Sequence, residues 1–260
     1  MYARGLAGGV LLATLAAGCA LGGDDPPGST ETRPALGACR SLTPADVAES
    51  SNATDAVDCS AEHTAETYAV VDLPSRFDDV DYDDPDLGAY AYKTCSTRFM
   101  EFLGADESLV MRTVLSWAWF RPSKEAWEAG ARWYRCDVIG GGEQSASYVA
   151  LPRTAEGVLL GRPDDRWLVC VNGESVDDGA RIPCSKRHAW RAVTTIKLGD
   201  DADAYPGDRP VQTRTRDFCS DSVGAWLDYP VDYEFGYTWF GEAEWAAGNR
   251  RSVCWARTRS

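Results

Sequence analysis

The chain has 260 residues, with 40 acidic side chains against 26 basic ones and a formal charge of −14. A surface with that balance repels phosphate backbones and anionic headgroups, which excludes nucleic acid as a partner and a basic patch as a means of holding a membrane. The length exceeds the usual size of one domain and favours two units.

The first residues, "MYARGLAGGVLLATLAAGCA", set Arg4 before a short apolar run and small residues ahead of Cys19. That is the layout of a secretory signal, and the run is too short for a permanent membrane helix. "LAAGC" resembles a bacterial lipoprotein signal, which implies lipid on Cys19, with Ala16 standing where the pattern prefers Leu, Val or Ile. An ordinary signal peptide cut nearby is the alternative. Residues 19–37, rich in Gly, Pro, Ser and Thr, hold too few large apolar side chains to offset the entropy of ordering them, and read as a tether. Acyl chains gain about 0.8 kcal/mol per buried methylene, so two or three of them suffice for lasting attachment.

Of nine cysteines, setting Cys19 aside leaves Cys39, Cys59, Cys95, Cys136, Cys170, Cys184, Cys219 and Cys254. In an exported chain an even set reads as disulfides. Pairing 39 with 59, 95 with 136, 170 with 184 and 219 with 254 closes loops of moderate length. With four cysteines per unit, three connectivities remain open in each.

The chain then repeats itself. "VDCSAEHTAETYAVVDLP" (57–74) aligns with "IPCSKRHAWRAVTTIKLG" (182–199), each a Cys-x-x-x-His followed by a β-branched run that predicts a strand. An acidic loop comes next in both halves. A helix follows: Leu87, Tyr90, Ala91, Cys95, Phe99, Phe102 and Leu103 trace one face, with Gly104 ending it. Val211, Thr215, Phe218, Cys219, Ser222 and Trp226 do so in the second half, between Pro210 and Pro230. "SLVMRTVLSWAWF" and "VDYEFGYTWF" read as aromatic strands, and "PSKEAWEAG" and "GEAEWAAG" as single helical turns closed by Gly130 and Gly248. Each half ends on "WEAGARWYRC" or "WAAGNRRSVC", with Trp, Ala, Gly, Arg and Cys at the same offsets. The order strand, strand, helix, strand, strand predicts a small α+β domain, with one sheet covered by one helix and disulfides offsetting its limited core. The division expected is a signal peptide over 1–18, a lipidated tether over 19–37, and repeats over 38–155 and 156–260.

These residues resemble the septum-formation proteins of actinobacteria. The pattern is "CSAEHTAE", "YKTC", "WAWFRPSKEAWEAG" and "RC" in the first unit, and "CSKRHAWR", "DFC", "YTWFGEAEWAAG" and "SVC" in the second. The resemblance covers nearly everything from Cys39 to Cys254 and implies a link to cell division or envelope growth. It names a process and supplies no chemistry. One departure stands out, for Glu66 in the first unit is matched by Arg191 in the second.

Candidate functional groups are few. His63 and His188 each follow a Cys by four residues, which is half of a zinc pattern, but oxidised cysteines cannot serve as thiolate ligands. A histidine buried beside its disulfide and bonded to a carbonyl is the other reading. His63 with Glu66 would make an acid–base pair for an envelope hydrolase, given a nucleophile such as Ser60 or a second carboxylate such as Glu62. No GxSxG, HExxH or phosphate-cradling loop appears. The aspartates 78, 79, 81, 83, 84 and 86 fail the calcium-loop template at Asp84 and Tyr90 and read as a solvated loop. Trp117, Trp119, Trp127, Trp239 and Trp245 form either a binding face or core.

The expectation is therefore a lipid-anchored, extracytoplasmic binding or scaffold protein of the envelope. It has no cofactor, metal or catalytic residue, and its partner is an envelope protein or cell-wall component. An enzyme using His63 and Glu66 and a metal-binding or sensing lipoprotein are the alternatives.

Overall fold

The computed structural model describes residues 32–142, 145, 147–200 and 202–258. The signal segment, Cys19 and the first part of the tether lie outside them. No helix among the described residues is long and apolar enough to cross a membrane.

The first unit contains β1 (Cys39–Arg40), α1 (Pro44–Val47), β2 (Ala65–Asp72), α2 (Pro85–Leu103), α3 (Glu107–Val110), β3 (Ser116–Phe120), α4 (Lys124–Glu128) and β4 (Trp133–Ile139). Its antiparallel sheet has the order β1-β2-β4-β3. The second contains β5 (Val169–Val171), β6 (Arg181–Pro183), β7 (Trp190–Lys197), α5 (Asp208–Trp226), β8 (Phe235–Thr238), α6 (Glu242–Ala246) and β9 (Arg251–Arg257), in a sheet ordered β6-β5-β7-β9-β8. The architecture is α+β, twice over, and β6 gives the second unit one strand more than its expected order. The first part of "SLVMRTVLSWAWF" is helical instead of extended, because Asp106 caps α3 by accepting the Leu109 N–H at 2.7 Å.

The duplication holds at the level of register. Cys39 lies opposite Glu66 and Cys170 opposite Arg191. A bulge leaves Tyr68 unpaired between β2 and β4, and another leaves Val193 unpaired between β7 and β9. Each bulge turns an extra side chain toward the helix, and both residues are buried in the helix-side core. Four disulfides close as Cys39–Cys59, Cys95–Cys136, Cys170–Cys184 and Cys219–Cys254. In each unit one ties the first strand to the turn before the long strand, β2 or β7, and one ties the long helix to the last strand.

On α2 the buried stripe is Leu87, Ala91, Cys95, Phe99 and Leu103. On α5 it is Val211, Thr215, Cys219 and Val223, with Gly224 beside it. Phe218 and Trp226, assigned to that stripe from spacing, stand one ridge away and are exposed.

The reverse face of the two sheets differs. In the first unit Asp137 accepts from Thr67 Oγ1 at 2.7 Å and from Arg135 Nε at 3.0 Å, while Arg40 donates to Thr67 Oγ1 at 2.8 Å. All four are buried, under the segment that carries Asn52 and Thr54. The register counterparts in the second unit are Val171, Ala192, Val253 and Trp255, an apolar surface on which Met111 and Val114 of the first unit pack.

The two units are therefore joined and not merely tethered. Val114 N–H donates to Trp167 O within the first unit, and next to it Val169 N–H, at the start of β5, donates to Arg112 O, both at 2.9 Å, so main-chain pairing runs on into the second unit. Arg251 pairs with Glu107, Thr195 Oγ1 donates to Ser108 Oγ at 2.8 Å, and Arg112 donates to Val193 O at 3.0 Å. Leu159 and Trp167, beyond residue 155, pack in the core of the first unit.

Candidate functional site

His63 is buried and its Nδ1 lies 2.8 Å from the Ala61 carbonyl, two residues back in the turn that Cys59 anchors. Nε2 is buried with no hydrogen-bond partner among the described residues. His188 repeats the first contact, with Nδ1 2.7 Å from Lys186 O. In both units the ring closes the turn that precedes the long strand.

Glu66, three residues further on, does not face outward as a free base. Its carboxylate accepts from Thr154 Oγ1 at 2.9 Å and from the Ala155 N–H at 2.7 Å, fixing the segment that leaves the first sheet. Leu151 N–H on the same segment donates to His63 O at 2.9 Å. Arg191, the register counterpart, reaches Asp165 at 2.6 Å. That hydrogen bond and charge hold the Asp165 carboxyl below the usual carboxylate range. Opposite charges thus do the same work, each tying the unit's long strand to the connecting segment. Ser60 and Glu62 are both exposed on the preceding turn, and among the described residues neither side chain is bonded to His63 or Glu66.

The repeated Trp, Gly and Arg form a clamp beneath each acidic loop. Trp127 and Trp245 are only 4% and 5% exposed. Arg132 lies 4.1 Å from the Trp127 ring centroid, and Arg250 3.8 Å from that of Trp245. Arg132 donates to Trp127 O at 2.7 Å and to Asp78 O at 2.8 Å; Arg250 donates to the carbonyls of Trp245 and, at 3.4 Å, Asp200. Tyr82 and Tyr205, one from each acidic loop, pack against these rings at 5.8 and 5.7 Å. Gly130 (φ 98°) and Gly248 (φ 106°) turn the chain between Trp and Arg in the left-handed region. The arginine at a shared offset was visible in the sequence; its role was not, because one of the main-chain carbonyls it binds comes from a loop about fifty residues earlier.

Trp127 and Trp245 are consequently interior and present no binding face. Trp117 and Trp119 are half-buried against the helix-side core, with Trp117 edge-on to Tyr92 at 5.4 Å. Trp239 is exposed but lies beyond β8. It is not the counterpart of Trp119: Trp119 lies opposite Cys136, whereas Tyr237 lies opposite Cys254. Among the described residues no group of His, Cys, Asp and Glu is arranged to hold a metal ion.

Between the units lies a cleft of about 240 Å³, bordered by Val110, Thr113, Ser116, Val169, Val253 and Trp255. Small-molecule sites commonly span about 300–1,000 Å³, so it is small for one.

No curated protein matches the chain, and no solved structure does. The model of the septum formation family matches it twice, over residues 29–121 and 112–254, which between them take in the two long helices α2 and α5, all four disulfides and every strand, the last of them in part. The chain belongs to the septum formation family.

Proposed function

We propose that the protein is held on the extracytoplasmic face of the cell membrane by lipid on Cys19 and acts there without catalysis. It is a binding or scaffolding module in septum formation, engaging an envelope protein or cell-wall partner. The observation that carries this reading is the state of Glu66, whose two carboxylate oxygens are taken up by Thr154 and Ala155. The group best suited to acid–base work is a fastener. Four disulfides favour an oxidising compartment. The paired seam between the units supplies one continuous body for a partner to grip.

The test is photo-crosslinking in growing cells from exposed positions on both units, with intact-mass analysis of the purified protein. Capture of envelope or division proteins, a diacylglycerol mass on Cys19 and eight oxidised cysteines are expected. Turnover of a cell-wall substrate by the purified chain, or an unmodified Cys19, overturns it.

A further inference from the structure

The segment between α2 and β3, residues 104–115, is where the first unit holds its neighbour. It does so by two means: an acidic side chain on a base, Glu107 with Arg251, and apolar side chains on an apolar face, Met111 and Val114 against Val169, Val253 and Trp255. The counterpart in the second unit is the segment between α5 and β8, residues 227–234. There Tyr229 is 70% exposed, Val231 is fully exposed, and Trp226, on the last turn of α5, is 49% exposed. Asp221, Asp228, Asp232 and Glu234 flank them in the sequence, all exposed and none in an ion pair among the described residues. From Asp217 to Asn249 the sequence has no Lys or Arg at all. Arg216, just before that stretch, is held on Asp217 at 2.7 Å.

The knuckle is also built at a cost. α2 ends on Gly104 in the left-handed region (φ 72°); at the same place α5 has Asp228 (φ 65°), followed by Tyr229 (φ 49°). Gly224 makes room for this, since a Cβ there would lie 2.8 Å from Tyr233 Oη and 3.4 Å from Tyr229 Cδ1.

We infer that residues 226–234 are a docking surface for a basic, aliphatic-bearing segment of a partner polypeptide, recognised as Glu107, Met111 and Val114 recognise the second unit. The inference rests on the binding-module reading above and names the chemistry of its partner. Exposed aromatic side chains exclude water over the aliphatic groups, and the unpaired carboxylates meet the bases.

The test titrates the full chain with a short peptide of alternating arginine and leucine. Comparison ligands are arginine–serine and glutamate–leucine peptides and a chitin-derived tetrasaccharide. Trp226→Ala with Tyr229→Ala is expected to weaken the arginine–leucine peptide at least tenfold, as is the set Asp221→Asn, Asp228→Asn, Asp232→Asn and Glu234→Gln. Neutralising Asp79, Asp81, Glu125 and Glu128, the same charge removed from the first unit, should change affinity less than threefold. Equal losses from both charge sets, equal binding of arginine–serine, preference for the tetrasaccharide, or a concentration-dependent dimer abolished by Val231→Glu each overturn the inference. The substituted side chains are exposed, so an unchanged unfolding midpoint checks the fold. A photo-crosslinker at position 231 that stays silent in cells, while positions on the first unit capture envelope proteins, sinks this surface alone. Silence at every position sinks the binding-module reading with it.

Discussion

Arg250 lies 3.8 Å over the ring of Trp245 and donates to that residue's own carbonyl, so one side chain fixes both the ring and the turn that carries it. Arg132 and Trp127 repeat the arrangement. A guanidinium is needed because the fork reaches two carbonyls while its plane covers the indole, which an ammonium cannot do. Arg250→Lys is expected to lower stability by about 2 kcal/mol and Arg250→Ala by about 3 kcal/mol in urea unfolding, from charge-assisted hydrogen bonds at about 1.5–3 kcal/mol with the stacking added. Arg132→Ala should cost somewhat less, because that side chain is partly solvated along its contact with Asp78.

Asp137 carries a different kind of risk. It is the one carboxylate among Arg40, Arg135 and Thr67 on the buried reverse face of the first sheet. Burial, then the neighbouring Arg135 charge, pulls the Arg40 pKa down, with Asp137 opposing both. Asp137→Ala would leave two buried cations uncompensated, and a loss of about 3–5 kcal/mol is expected. The equivalent position in the second unit, Trp255, packs among Val169, Val171, Ala192 and Val253, with the Arg181 guanidinium 4.3 Å over its ring. There a Trp255→Ala change should cost about 3–5 kcal/mol, chiefly through the cavity it leaves and the lost stacking of Arg181, with a weaker dependence on salt than Asp137→Ala. Denaturant titrations at low and high salt separate the two.

Asp228 offers a gain instead. A non-glycine residue held at φ 65° costs about 1–2 kcal/mol, less for Asp than for most, while glycine costs the unfolded chain somewhat more entropy. Asp228→Gly is expected to raise stability by about 0.5–1 kcal/mol. The reverse change, Gly104→Asp, should lower it by more, since a Cβ there lies 2.6 Å from the Leu160 side chain. Thermal unfolding of the two variants side by side gives the comparison.

Repetition made the fold legible. Cys, His, Trp and Gly recur at fixed offsets, and those residues turned out to be the turns, rings and bridges that each unit needs once. Helix spacing placed Cys95 and Cys219 on the sheet side, which is why the disulfide pairing could be anticipated. Long-range relationships were out of reach. Nothing local says that Glu66 will meet Ala155, that Leu159 and Trp167 belong to the first core, or that Met111 and Val114 will cover the second sheet. Spacing also misled at "WF": two extra residues before Trp127 shift the strand against the turn. Phe120 therefore falls on the reverse face, whereas Phe240 packs on Trp245 at 5.6 Å.

Asp165 supplies a pH dependence. Its folded pKa is depressed below the ordinary 3.8, first by the Arg191 hydrogen bond, so its contribution is fully present above that value and is lost as pH falls through the folded pKa. The side chain is 52% exposed, which limits the effect to below about 1 kcal/mol. Asp165→Asn should flatten the fall in stability below about pH 4 and leave it unchanged in slope between about pH 5 and 8.

Glu66 decides between a fastener and a catalyst. If its carboxylate exists to hold Thr154 and the Ala155 N–H, then Glu66→Gln keeps an oxygen for the N–H, and its amide can donate to the Thr154 hydroxyl. Stability should fall by less than about 1 kcal/mol, and function in dividing cells should survive. Glu66→Ala strands a buried N–H and should cost about 1–3 kcal/mol, with faster amide exchange at Leu151 and Ala155 as the connecting segment lifts. A general acid or base obeys the opposite logic: the amide cannot take or give a proton at neutral pH, so Glu66→Gln would be as damaging in cells as Glu66→Ala while unfolding normally. Septum morphology beside urea unfolding for the two variants distinguishes these outcomes, and a stable but inactive Glu66→Gln protein would return the first unit to the enzymes.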